Sequence, residues 1–149
     1  MKLQILDELR KNIIEFQGQV NGYECAIIFQ VLGHRCGYVK LKNNSRLIGL
    51  DNAQLDELFN VHGGFTWDSG SPIIDDKNSH WIGFDCAHSY DKSDLETLKS
   101  YNKEYNLISN EFISLKENFE LSYGEIRTYE YVLNELKLLT KQLKKEERK

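Results

Sequence analysis

Proline is almost absent. Pro72 stands alone in 149 residues, which excludes a disordered Pro-rich linker. No apolar run approaches the roughly 18 residues that a bilayer crossing demands, and Met1-Lys2-Leu3-Gln4 opens no secretory signal. Cysteine is scarce and odd in number: Cys25, Cys36 and Cys86, none of them in a C-x-x-C pair. That excludes a zinc ribbon and predicts reduced thiols. The expectation is a cytoplasmic protein with no membrane partner. The Gly-Lys-Ser/Thr element of a nucleotide phosphate loop is also missing.

Positive charge is in short supply. Nineteen basic and 23 acidic side chains give a net charge of −4 and a pI near 5.6. Long nucleic acids are held by Lys and Arg neutralising phosphates, so a long polyanion is not expected as partner. The basic tail Lys141–Lys149 reads as the solvated end of a helix whose cations complement the C-terminal dipole. A small anionic ligand stays open.

The length fits one domain, 1–149, with a β-rich part over 20–91 and a helical part over 92–149. Leu6, Leu9, Ile13 and Phe16 recur at steps of three and four, predicting a short helix over 3–16. Strands are predicted at 23–29, 36–41, 61–67 and 80–86, the first two joined through Leu32-Gly33-His34-Arg35, with turn chemistry at 68–72 and helical turns at 51–59. Ser93 with Glu96 has the capping-box spacing, predicting a helical stretch from there through Phe119, interrupted at Ser122-Tyr123-Gly124. A last helix places Val132, Leu136, Leu139 and Leu143 on one stripe, which either packs on the sheet or forms a homo-oligomer seam. The predicted class is α+β: a small antiparallel sheet of about four strands with helices on one side.

The chemistry-bearing residues crowd into three segments that are strand ends, where a rigid sheet presents side chains to a ligand: 33–38, 62–67 and 81–91. Gly63-Gly64 beside His62 reads either as close ligand approach to backbone N–H groups or as a bulge. Asp85, Cys86 and His88 form the densest cluster. In a regular strand Asp85 and His88 face opposite ways, and a bend at Ala87 would join them. The candidate catalytic groups are His62, Asp85 and His88: a His–Asp pair as an oriented general base, or His62 and His88 as metal-free acid and base on a phosphodiester. A zinc site from His34, His62, Cys86 and His88 lacks any known motif spacing, so no metal and no cofactor are expected. The alternative is structural, with Cys86 a small buried hydrophobe and Asp85 a turn cap. Of Phe65, Trp67, Trp81, Phe84 and Tyr90 most are expected in the core, although an aromatic beside polar groups suits a flat base. Arg35, Arg46 and Arg127 are the anion-gripping candidates.

Four motifs in order resemble a group of small phage and prophage proteins: Asn21-Gly22-Tyr23-Glu24-Cys25, Gly33 to Val39, His62-Gly63-Gly64-Phe65-Thr66-Trp67, and Trp81 to Asp91, with the closing helix Tyr131 to Leu143. The group's His-Pro segment is replaced here by Asn43-Asn44-Ser45, and the stretch 92–123 is longer than usual. The resemblance implies a phage protein acting against host defence, one that captures or cleaves a nucleotide-type immune signal: a cyclic dinucleotide, or a cyclic or histidine-linked ADP-ribose. The expected ligand contacts are His62, Gly63, Gly64, Thr66, Trp67, Asp85, His88, Tyr90 and Asp91, joined by His34, Arg35 and Arg127. Sequestration is expected ahead of cleavage by His62 and His88. A third reading is inhibition of a host protein by surface contact. A homo-oligomer is expected throughout.

Overall fold

Asn21-Gly22, with φ of +50° and +85°, makes the two-residue turn that matches strand twist in a β-hairpin. It joins β2 (Ile13–Val20) to β3 (Tyr23–Phe29), with Val20 opposite Tyr23. The structure, a computed structural model, describes residues 4–5, 12–74, 76, 78–119 and 124–149. The helix expected over 3–16 is therefore corrected: Ile13 to Phe16 are strand, and β1 (Gln4–Ile5) pairs with Ile13 and Ile14, while Leu6 and Leu9 lie outside the described residues. The physical reason is the hairpin turn, which recruits the β-branched Ile13 and Ile14 to the sheet. A register shift between Ile14 and Phe16 breaks strict alternation, so the apolar spacing imitates a helical face.

A turn closed by Gln30 N–H to the His34 carbonyl at 2.7 Å leads into β4 (Arg35–Lys40), close to the expected second strand. Among the described residues the remaining strands of this sheet are β5 (Trp67–Ser69) and β6 (Trp81–Asp85), giving six strands ordered β1-β2-β3-β4-β6-β5 and antiparallel throughout. The strand expected at 61–67 shrinks to its last residue, because His62-Gly63-Gly64 is a turn with φ of +69° and +85° at the two glycines. A separate two-residue parallel ladder joins β7 (Asp91–Lys92) to β8 (Glu125–Ile126).

Among the described residues, four helices complete the α+β fold. Asp51 and Gln54 cap α1 (Asn52–Leu58) reciprocally. Asp94, rather than Ser93, caps α2 (Leu95–Tyr105), its carboxylate accepting the Thr97 N–H at 3.1 Å. The helical stretch continues as α3 (Asn110–Phe119). Of the break expected after it, Ser122 and Tyr123 lie outside the described residues. Thr128 caps α4 (Tyr129–Glu147). Val132, Leu136, Leu139 and Leu143 are fully buried and pack with Cys25, Ile27, Val39, Ile82 and Phe84 of one sheet face. This stripe is core, not a seam between copies. Ile13 and Phe29 pack with Leu98, Leu107 and Ile113 of the α2–α3 region. The opposite sheet face carries Ala26, Ile28, Cys36, Tyr38 and Trp81. No helix among the described residues is long and apolar enough to cross a membrane.

Candidate functional site

The chain leaves β6 at Asp85 and turns at once. The Asp85 carboxylate accepts the Ala87 N–H at 3.1 Å, and the Asp91 carboxylate accepts the His88 N–H at 3.0 Å. This is the bend that brings Asp85 and His88 together, with His88 Nε2 3.8 Å from Asp85 Oδ1. The closer partner of His88 is Asp91: Nδ1–H donates to Oδ2 at 2.8 Å.

Asp91 is the hub. Its side chain has no exposed surface, and a buried carboxylate must be fully hydrogen-bonded to persist. His62 Nε2–H donates to both oxygens at 2.9 Å, and Arg127 Nε–H donates to Oδ1 at 2.9 Å. Burial pushes the Asp91 carboxyl upward, but hydrogen bonds from His62, His88 and Arg127 outweigh it and hold it at about 2. The second nitrogen of His62, Nδ1, meets the Tyr131 hydroxyl at 2.8 Å, so both of its polar atoms are engaged within the protein.

Gly63 makes this packing possible. A Cβ on it would lie 2.2 Å from His88 Cε1 and 2.4 Å from Nε2. The space that glycine leaves is thus filled by a side chain of the same protein. Gly64 faces Asp56, whose carboxylate accepts the Phe65 N–H at 2.7 Å.

Aromatic rings frame the hub. His88 and Tyr90 stack in parallel, 5.2 Å between centroids and 4° between planes. The Arg127 guanidinium lies 4.9 Å from the Tyr131 ring centre and 6.0 Å from that of Tyr90. Tyr90 is exposed and a quarter of the His88 side chain reaches solvent, so this edge is the accessible one. His62, Asp85, His88, Tyr90, Asp91 and Arg127 therefore come together as the sequence groups them.

Other expected contacts lie elsewhere. Thr66 donates its N–H to the Gly83 carbonyl at 2.9 Å. Trp67 packs edge-on to Tyr38 on the opposite sheet face and lines a separate cavity of about 560 Å³ with His80. His34 donates Nδ1–H to the Cys86 carbonyl at 2.8 Å and meets Ser93 through Nε2, tying the β3–β4 turn to β6 and α2. Arg35 is corrected as an anion grip: its guanidinium is buried and held by Glu15 at 2.7 Å and Asp94 at 2.8 Å, with Tyr101 donating to Glu15. Its remaining reach is to the Arg127 carbonyl at 3.1 Å, so it braces the segment that aims Arg127. Arg46 sits at the far end of α4, paired with Glu146. Phe65, Trp81 and Phe84 are core, as expected for most of the five aromatics.

All three cysteines are buried thiols. Burial pushes Cys25 and Cys36 up to about 12 and Cys86 up as well, so none supplies a thiolate nucleophile at neutral pH. Tyr131 escapes a sequence reading because it stands 69 residues from His62; the signal was only that it opens the last helix of the motif series. His62, His88 and Asp91 offer ligand atoms that all lie within 4.8 Å of one another. No protein-family model, no curated protein and no solved structure matches this chain.

Proposed function

We propose that the protein is a phage counter-defence protein of the host cytosol that captures a small nucleotide-type immune signal at the edge formed by His88, Tyr90 and Arg127. The observation that carries this reading is the exposed, parallel His88–Tyr90 stack beside the Arg127 guanidinium. A flat π-surface accepts a base, at roughly 1–3 kcal/mol per stacked base, and a guanidinium engages a phosphate oxygen. The ligand class is a cyclic dinucleotide or a cyclic or histidine-linked ADP-ribose. Self-association belongs to the same reading. With the α4 stripe buried, the surface for it is α3, where Phe112, Leu115 and Phe119 are exposed.

A second reading, cleavage of the signal, is favoured by the way Asp91 receives the His88 Nδ1–H. That bond fixes the imidazole tautomer and leaves the lone pair on Nε2, as a general base requires. His62 is spent internally, so the proton-moving role falls to His88 alone, with Asp91 as its orienting partner.

Incubating the full chain with a panel of cyclic dinucleotides and ADP-ribose derivatives, then denaturing it and analysing the released nucleotide, tests both. Depletion followed by intact release is expected. Fragments establish cleavage, and no depletion of any panel member overturns the nucleotide assignment.

A further inference from the structure

We infer that His62, His88 and Asp91 form a binding site for one divalent transition-metal ion. A motif search along the chain does not find it, because His62 sits on the turn before β5, His88 on the turn after β6 and Asp91 on β7. The fold nevertheless brings His62 Nε2, His88 Nδ1 and the Asp91 carboxylate to within 4.8 Å of one another. Two imidazoles and a carboxylate are the three-ligand set that suits Zn, Mn or Fe with coordination positions left open.

The surroundings carry the argument beyond the three donors. Metal-ligating groups need outer partners that fix their orientation. Two of these ligands have one within hydrogen-bond distance, and the third has a carboxylate nearby. The far nitrogen of His62 meets the Tyr131 hydroxyl at 2.8 Å. The far nitrogen of His88 faces Asp85 at 3.8 Å. Asp91 Oδ1 is held by Arg127 at 2.9 Å. Without metal, His62 Nε2 and His88 Nδ1 carry the protons that point at Asp91. With metal, each proton moves to the opposite nitrogen of its own ring, where the Tyr131 hydroxyl accepts that of His62 and that of His88 turns toward Asp85. Metal entry then needs two tautomer switches and no net release of protons.

Charge points the same way. Among the described residues, Asp91 and Glu125 share Arg127 as their guanidinium partner, and Asp85 lies beside His88. The negative excess attracts a divalent ion. The metal site stands on donor geometry alone. That the bound ion also receives a ligand phosphate oxygen at the exposed His88 edge rests on the nucleotide reading above.

The test uses EDTA-treated full-length protein and the metal alone, so its outcome is independent of the nucleotide panel. Zn²⁺ and Mn²⁺ titrations followed by calorimetry and melting should show one equivalent bound and a raised Tm, since binding to the folded state stabilises it. His88→Gln should weaken binding at least tenfold, and Tyr131→Phe by about ten- to a hundredfold, the usual cost of losing an outer partner. Nitrogen-15 spectra of the unmodified protein make the test independent of variant folding. Saturating Zn²⁺ should move the His62 proton to Nδ1 and the His88 proton to Nε2. Unchanged tautomers, binding only at millimolar metal, or affinity unaffected in a folded His88→Gln protein would overturn the site.

Discussion

Replacing Gly63 by Ala isolates the packing that holds the cluster together. The new Cβ would lie 2.2 Å from His88 Cε1, 2.4 Å from Nε2 and 2.9 Å from Nδ1. To restore van der Waals separation the ring must retreat by about 1 Å or more, which breaks its 2.8 Å bond to Asp91. A hydrogen bond to a charged group contributes roughly 1.5–3 kcal/mol, and the lower end applies here because the partly exposed ring can hydrate. Gly63 also has φ of +69°, where an L side chain adds about 1–2 kcal/mol. The expected loss is about 2–4 kcal/mol, which for this chain length lowers Tm by roughly 2–4 °C per kcal/mol. Gly22→Ala is the control, with φ of +85° and no atom within 4 Å of the added Cβ; it should show the backbone cost alone. In a His88→Ala background the clash is gone, so Gly63→Ala should then cost about as much as the control. Urea unfolding of the two single variants and the double variant measures this. Costs that add within about 0.5 kcal/mol would refute the reasoning, since sites in contact must couple.

Three further outcomes are expected. Burial pushes the Asp94 carboxyl up, yet hydrogen bonds from Thr97 and Arg35 hold it below its ordinary 3.8. Its stabilisation is therefore complete above that value and lost as pH falls through the lower folded value, so Asp94→Asn should depress Tm at pH 7 and progressively less in melts below pH 4. Cys25, Cys36 and Cys86, buried and held as thiols, should resist alkylation at pH 8 in the folded protein and all react in denaturant, read by intact mass. Leu136→Ala should cost about 2–5 kcal/mol by urea unfolding because that side chain is fully buried against the sheet, whereas Leu138→Ala, half exposed on the other face, should stay within about 0.5 kcal/mol.

Some of this molecule is legible along the chain because the cause is local. The β3–β4 hairpin follows from alternation and turn residues, and the α4 stripe from its 3.6-residue period. Both patterns describe one element's own geometry and need no partner to be read. The crowding of His, Asp and aromatic residues into 62–67 and 81–91 is equally visible, and the His88 and Asp91 assignments come from it, whereas Arg127 is singled out for its guanidinium alone. The N-terminal segment is where local pattern fails. Ile13 and Phe16 fit a helical face on paper, but a hairpin partner and a register shift decide for strand.

What the tertiary structure alone decides is which of two chemically equal residues is available. Arg35 and Arg127 carry the same guanidinium. Arg35 is enclosed by Glu15 and Asp94, whereas Arg127 reaches Asp91 beside the exposed Tyr90 edge. The same holds for the histidines: His34 is turned into a brace between loops, while His62 and His88 converge on a single carboxylate. Residue type, spacing and charge determine what each segment can do, because they act over a few bonds. Convergence of Tyr131, Arg127, His62 and Asp91 spans turns, sheet and helix, and it exists because α4 buries its stripe on the sheet and thereby carries its first turn to the end of β6. Burial and distance are properties of that packing, and they separate a working group from a structural one.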